Sequence, residues 1–401
     1  MKSTRRDFLK KGVISAAGAA LLPSSCKPSK EELIALAGGN KIISRNLGKT
    51  GIKVPVVSMG VDDNIDIVPS AIELGLTYFQ TSSNYRNGQN ERDLGRIVKV
   101  KGRDNFILGT GFSLGKYIYK ENLRIDNNFK KENLIRSFES ALKRLKMEYI
   151  DIYFLFEHYS KDTLMHEPII ESVINFKKSG KARSIGAAAH SNVPAVIREA
   201  ADSGIYDVVM VSRNFRNNDA DEIDRAINYA AGKGLGIIAM KTQAGVYWDR
   251  KRESMINMKA ALKWALQNEN VHTAVTLYNN TRELAEGVSV MNDLKLTDSE
   301  KRDLKLPVEG SGFGLYCQQC GECTGQCGRF PEIPAVMRCY MYAYGYRSLY
   351  KAKHTFSSLN LKQIPCEDCE RCTVKCTMGF DIRRKVLDIS RIKDIPGEFL
   401  T

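Results

Sequence analysis

A chain of 401 residues, 43% apolar and 26% charged, is long enough to bury a full core and too long for one average domain, so a large domain with a smaller companion is expected. The formal charge of +14 does not signal nucleic-acid binding: residues 1–26 contribute four of it, and the remaining bases are interleaved with acids without an aromatic-basic motif. Cysteine is the unusual residue, with nine of the ten falling after residue 316.

The N-terminus reads "STRRDFLKKG" and then "VISAAGAALLP": a twin arginine, a short apolar run and small residues, too short to span a bilayer. It resembles a twin-arginine translocation signal, the type that exports folded proteins, over residues 1–26. Export to the periplasm, or to a membrane-anchored position outside the cytoplasm, is the expectation. Cys26, after "LLPSS", is a candidate lipidation site and hence a membrane attachment, with Pro23 where a lipobox usually has Leu. Residues 27–41 read as a linker.

From 42 to 305, short β-rich runs alternate with longer helical patterns. The strand candidates are "VPVVSMG", "LTYFQT", "NFILGT", "YIDIYFLF", "ARSIGAA", "DVVMVS", "LGIIAM" and "HTAVTL". In the helical stretch "KENLIRSFESALKRLK", Leu134, Phe138, Leu142 and Leu145 share one face. Eight such units predict an α/β fold, a (β/α)8 TIM barrel with its reactive groups at the C-terminal strand ends. A doubly wound sheet is the alternative, weakened by the absence of a G-x-G-x-x-G turn after the first strand.

Residues 306–401 carry the cysteines. Cys317, Cys320, Cys323 and Cys327 follow C-x2-C-x2-C-x3-C, and Cys366, Cys369, Cys372 and Cys376 repeat it. Three thiolates on one tight loop suit a cluster, whereas zinc sites use separated pairs. The pattern resembles a bacterial two-cluster ferredoxin, which implies a small iron-sulfur domain with two [4Fe-4S] clusters. In that family the fourth Cys of each run crosses over, so the resemblance assigns Cys317, Cys320, Cys323 and Cys376 to one cluster and Cys366, Cys369, Cys372 and Cys327 to the other. Gly328 and Thr377 stand where the family has Pro. The intervening "IPAVMRCYMYAYGYRSLY" reads as an aromatic helix packed on the barrel, and Cys339 as a buried thiol.

"RNLGKTGIKVPVVSMG" and "GLTYFQTSSNYRNGQNERDLG", followed by "YIDIYF", "GKARSIGAAAH", "AMKTQAG" and "TRELAEG", resemble the aldo-keto reductases, in order and across the barrel. Members with a ferredoxin-like tail form a subgroup of the same architecture. The resemblance implies hydride transfer from NADP(H) to a carbonyl, with a Tyr as general acid tuned by Lys, Asp and His. Tyr85 keeps the acid, but Gln80 replaces the Asp, Gly111 the Lys and Phe156 the His. Leu277 and Gly287 replace a phosphate-contacting Gly and an Asn, which makes NADP(H) a doubtful cofactor. Candidate contacts for it are Asn214, Arg282 and Glu286, with Asn280 beside them.

Candidate catalytic groups at the strand ends are therefore Tyr85, Gln80, His158, His190 and Lys241, among further polar residues Glu157, Arg213 and Tyr278. Lys241 is the candidate for the missing cation beside Tyr85, and His158 or His190 for the missing histidine. The expected function is an exported oxidoreductase passing electrons between two clusters and a carbonyl or alcohol substrate at the barrel mouth. It would work with a redox partner that the sequence does not identify. A non-catalytic barrel that docks an electron-transfer domain is the alternative, and a conventional NADPH-dependent reductase the third reading.

Overall fold

The computed structural model describes residues 28–400, apart from 40, 63, 120–123, 252, 306–313, 331–332, 358, 360, 362–363 and 365. The export segment and Cys26 lie outside the described residues. The eight apolar runs each supply one strand: β1 (Val57–Gly60), β2 (Tyr78–Gln80), β3 (Ile107–Ser113), β4 (Ile150–Phe156), β5 (Ala182–Ala189), β6 (Val208–Ser212), β7 (Gly236–Met240) and β8 (Thr273–Thr276). All pair in parallel in chain order, and β8 pairs with β1, which closes the barrel and removes every sheet edge.

Strand alternation sorts the side chains. Tyr78, Ile152, Phe154, Ala188, Met210 and Ile238 fill the barrel interior, while their neighbours Phe79, Tyr153, Leu155, Ala187 and Ile237 join the larger core under the helices. The hairpin of Ser44–Asn46 and Lys53–Pro55 plugs the N-terminal end with Leu47 and Val54. Its turn passes so close to the segment just before β7 that a Cβ on Gly48, at φ +55°, would lie 2.4 Å from the Gly234 carbonyl.

Helix α1 (Lys30–Leu36) precedes the hairpin, α2 (Gln89–Lys101) follows β2, and α3 (Lys131–Leu145) follows β3. The α3 face buries Leu134, Phe138, Ala141, Leu142 and Leu145. Between α2 and α3 stands a buried ion pair: Glu91, fully buried, accepts from Arg144 at 2.5 Å and from the Thr110 hydroxyl at 2.6 Å. This pair pins the start of α2 to β3 and α3. Helix α4 (Thr281–Ser289) follows β8.

The tail builds a second core. Helix α5 (Ile333–Tyr340) runs into a π-helical turn, Met341–Gly345, and then α6 (Leu349–Ser357); α7 (Ile382–Ser390) packs against α5. The aromatic stretch is thus two helices joined by a wider turn. Its Val336, Met337, Tyr340 and Met341 cluster with Leu315, Tyr316, Phe380 and Val386, and with Ala244 of the loop after β7. The Val246 amide donates to the Gly345 carbonyl at 2.8 Å. The tail therefore sits on the C-terminal mouth of the barrel.

Removing one partner of a buried ion pair strands the other charge, at a cost of about 3–5 kcal/mol. Arg144→Met is expected to lower unfolding stability by that order in a denaturant titration, whereas exposed Lys131→Met, whose pair with Glu171 faces water, should change it by less than about 1 kcal/mol.

Candidate active site at the barrel mouth

Tyr85 opens a short turn, Tyr85–Gly88, between β2 and α2. Arg86, Asn87 and Gly88 follow it with φ of 46°, 53° and 78°. Three successive left-handed residues reverse the chain and leave the Tyr85 side chain half-buried over the mouth.

Its cation comes from the tail. The Lys351 ammonium, carried in on α6, lies 4.5 Å from the centre of the Tyr85 ring and 2.7 Å from Asp62 Oδ2, just after β1. The Lys351 and Asp62 side chains are only 16% and 10% exposed. Burial opposes the Lys351 charge, but Asp62, Tyr85 and Tyr342 outweigh it and hold the ammonium well above the ordinary lysine range. Lys351 in turn is the largest influence on Tyr85 and pulls its phenol down. Burial, Asp62 and Glu157 together push harder, so the phenol ends above its usual value and keeps its proton at neutral pH.

Lys241, the cation expected here, lies instead 4.5 Å and 4.9 Å over the rings of Tyr342 and Tyr346. Its φ of 57° follows directly on β7. Burial, then Lys351 and Arg338, depress its amine well below the lysine range. His190 lines the same small cavity, its pKa lowered well below the usual histidine value by burial and then by Lys241, Arg338 and Lys351. That cavity, shared with Ser212, Tyr316, Gln319, Arg338, Met341 and Tyr342, has a volume of about 10 Å³, room for about one water molecule.

Two further tail groups reach into the mouth. Arg338 donates to Glu157 at 2.9 Å and to the Tyr159 hydroxyl at 3.2 Å. Tyr316, next to Cys317, bonds Ser212 at 3.0 Å and accepts from Asn214 Nδ2 at 2.7 Å. Asn214 thus holds the tail.

Other expected residues lie apart. Gln80 accepts from the Tyr78 hydroxyl at 2.6 Å and donates to the Thr81 carbonyl at 2.7 Å, inside the barrel. His158 is fully buried against Tyr206, at 5.7 Å between ring centres. Burial lowers its pKa to about 3, and neither ring nitrogen has a hydrogen-bond partner among the described residues. It does not meet Tyr85 because β4 ends at Phe156 and Glu157 turns to φ 73°, which breaks the strand alternation between them. Arg213 pairs with Asp224 at 2.8 Å. Arg282 and Glu286 line a groove of about 700 Å³ outside the barrel, with Lys259 and Lys263. The structure does not bring them together with Asn214.

Met341, Tyr342 and Arg338 of the tail close the cavity around Lys241 and His190. Tyr278 is buried against α4, where a Cβ on Gly287 would lie 2.3 Å from its hydroxyl.

The nine cysteines among the described residues are free thiols, and Cys339 is buried, donating to the Ala335 carbonyl at 3.3 Å. Burial raises the Cys317 thiol to about 11, with Cys376 and Cys320 adding to the rise. Cys323 is pushed up to about 12 by burial and by Cys317, Cys320 and Cys376. Cys366 is raised to about 11 by burial, then by Cys372, Cys327 and Cys369. Cys376 of the second run is thus a neighbour of Cys317 and Cys323, and Cys327 of the first run a neighbour of Cys366. No group of three or more His, Cys, Asp or Glu is drawn together as a metal-ion site among the described residues. The ligands of one ion converge on a point, whereas each thiolate of a four-iron cluster binds a different corner.

The family model described as "Aldo/keto reductase family" matches residues 57–286, ending before the cysteine runs. The L-galactose dehydrogenase of Arabidopsis thaliana is 24% identical over 306 residues, 66% of this chain and 92% of that protein. The L-glyceraldehyde 3-phosphate reductase of Escherichia coli strain K12 is 21% identical over 335 residues, 68% and 94% of the two chains. Among solved structures, the holo form of an aldo-keto reductase from Bacillus halodurans superposes with a TM-score of 0.54 at 20% identity, covering 66% of this chain and 95% of that one.

Among the residues not anticipated from the sequence, Asp62 has one signal, its position after β1; Lys351 and Arg338 have none. The family lysine cannot simply be put back at Gly111, where a Cβ would lie 2.0 Å from the Phe154 carbonyl oxygen. Gly111→Lys is expected to cost about 3 kcal/mol or more in a denaturation measurement, and to leave the Tyr85 titration, followed by ultraviolet difference absorbance, no lower than before.

Proposed function

The chain belongs to the aldo/keto reductase family, and from that premise we propose an oxidoreductase in which Tyr85 handles the substrate proton and the cysteine tail, not a nicotinamide, handles the electrons. The observation that carries this reading is that the tail is built into the mouth: it brings Lys351 to Tyr85 and sets Tyr316, the neighbour of Cys317, against the cavity that holds Lys241 and His190. The relatives' names, a dehydrogenase and a reductase, support carbonyl and alcohol chemistry.

Converting a carbonyl to an alcohol takes two electrons and two protons. Tyr85 is suited to the proton on oxygen, because its phenol is protonated at rest and the Lys351 ammonium stabilises the phenolate left behind. Asp62 holds that ammonium in place. Cys317, Cys320, Cys323 and Cys376 are the ligands for one [4Fe-4S] cluster and Cys366, Cys369, Cys372 and Cys327 for the other, and bound clusters would supply single electrons. Export by the twin-arginine route would deliver the protein folded to a compartment without an NADPH pool.

One observation favours a second reading, a barrel that only docks the tail: the cavity beside Lys241 is about 10 Å³, so a substrate enters only if Met341 and Tyr342 move. The two readings part in one experiment. Mature protein assembled anaerobically is expected to bleach with dithionite and not with NADPH, and to recolour faster when a carbonyl compound is added. Lys351→Met should slow that recolouring by about 10²-fold and shift the Tyr85 titration upward, since the largest influence lowering it is gone. Recolouring indifferent to every carbonyl compound would leave the docking reading, and bleaching by NADPH the conventional reductase.

A further inference from the structure

We propose that Gln319, oriented by Arg338, couples the thiol group around Cys317 to the charges of the barrel mouth and sets the potential of the mouth-side cluster. The inference rests on the reading that these cysteines hold one.

The contacts form an unbroken chain. Gln319 Nε2 donates to Cys317 Sγ at 3.1 Å and to the Pro334 carbonyl at 3.1 Å. Gln319 Oε1 accepts from Arg338 Nε at 2.9 Å. Arg338 Nη1 donates to Glu157 Oε1 at 2.9 Å, and Glu157 Oε2 accepts from the Ser113 hydroxyl at 2.5 Å and the Gly115 amide at 2.9 Å. Three side chains, those of Gln319, Arg338 and Glu157, thus link the first cysteine of the tail to Ser113 at the end of β3 and to Gly115 just beyond it.

The polarity of the amide is fixed. A guanidinium only donates, so the amide oxygen must face Arg338 and the two N–H groups must face the sulfur and Pro334. Gln319 is 6% exposed, and its backbone holds φ 57°, a left-handed conformation uncommon for a residue other than glycine. Burial and an enforced amide orientation make it a fixed donor rather than a surface side chain.

A hydrogen bond to a cluster sulfur favours the more negative, reduced state and raises the potential. The group around Cys366 has no side-chain amide donating to a sulfur among the described residues; Cys369 Sγ instead meets the Arg371 carbonyl at 3.2 Å. One cluster should respond to Gln319 and the other should not. Reciprocity adds a consequence: a ligand in the mouth that draws Arg338 away from Gln319 would alter the same potential.

The test is a redox titration of the full mature protein, assembled anaerobically and followed by electron paramagnetic resonance, with iron and sulfide counted in each sample. Gln319→Leu should lower the potential of one cluster, Gln319→Glu should lower the same one further by adding negative charge, and the second cluster should not move. Unshifted potentials in Gln319→Glu at full iron content would overturn the proposal, as would equal shifts in both clusters. Gln319→Glu is isosteric and guards against failure of the leucine variant to fold. If the unsubstituted protein takes up no iron and sulfide, it is the cluster reading itself that falls, and the inference with it.

Discussion

An ammonium group withdrawn from water has to be neutralised by something fixed, and the Lys351–Asp62 contact does this across the boundary between barrel and tail. The rest of the mouth is arranged around it. Lys351 reaches Asp62 only if α6 lies over β1, which in turn seats the π-helical turn, Tyr342 and Arg338 above β4 and β7. Glu157 answers Arg338 as Asp62 answers Lys351, so both buried cations of the tail find their carboxylates on barrel loops. Barrel and tail are consequently one electrostatic unit.

Most of the barrel was legible in the sequence because strand alternation is a local signal. The eight apolar runs, the α3 stripe of Leu134, Phe138, Leu142 and Leu145, and the loop position of Tyr85 all follow from neighbours within a few residues. The cation was not legible, since Lys351 and Asp62 are 289 residues apart and nothing near either announces the other. Lys241 was the reasonable expectation, being a lysine at a strand end, and it does stand in the mouth, but over Tyr342 and Tyr346. His158 illustrates a different limit. Its two-residue offset from Phe156 implies the same side of a strand, yet the strand has already ended at Glu157, and a left-handed residue sends the imidazole into the core.

The glycine at 111 and the lysine at 351 are two sides of one change. With no Cβ at 111, β3 and β4 lie closer than a family lysine would permit, and the ammonium arrives from above the barrel instead of from within its wall.

The crossing of the cysteine runs carries a consequence for durability. Cys376 stands with the first run and Cys327 with the second, so clusters bound there would tie each loop to the other like two rivets through the same pair of plates. Oxidative loss of either would release an anchoring thiol in the loop that grips its neighbour, and damage would spread from one to both. Since Tyr316 leads directly from Cys317 to Ser212 and Asn214, the loosening would continue into the barrel mouth.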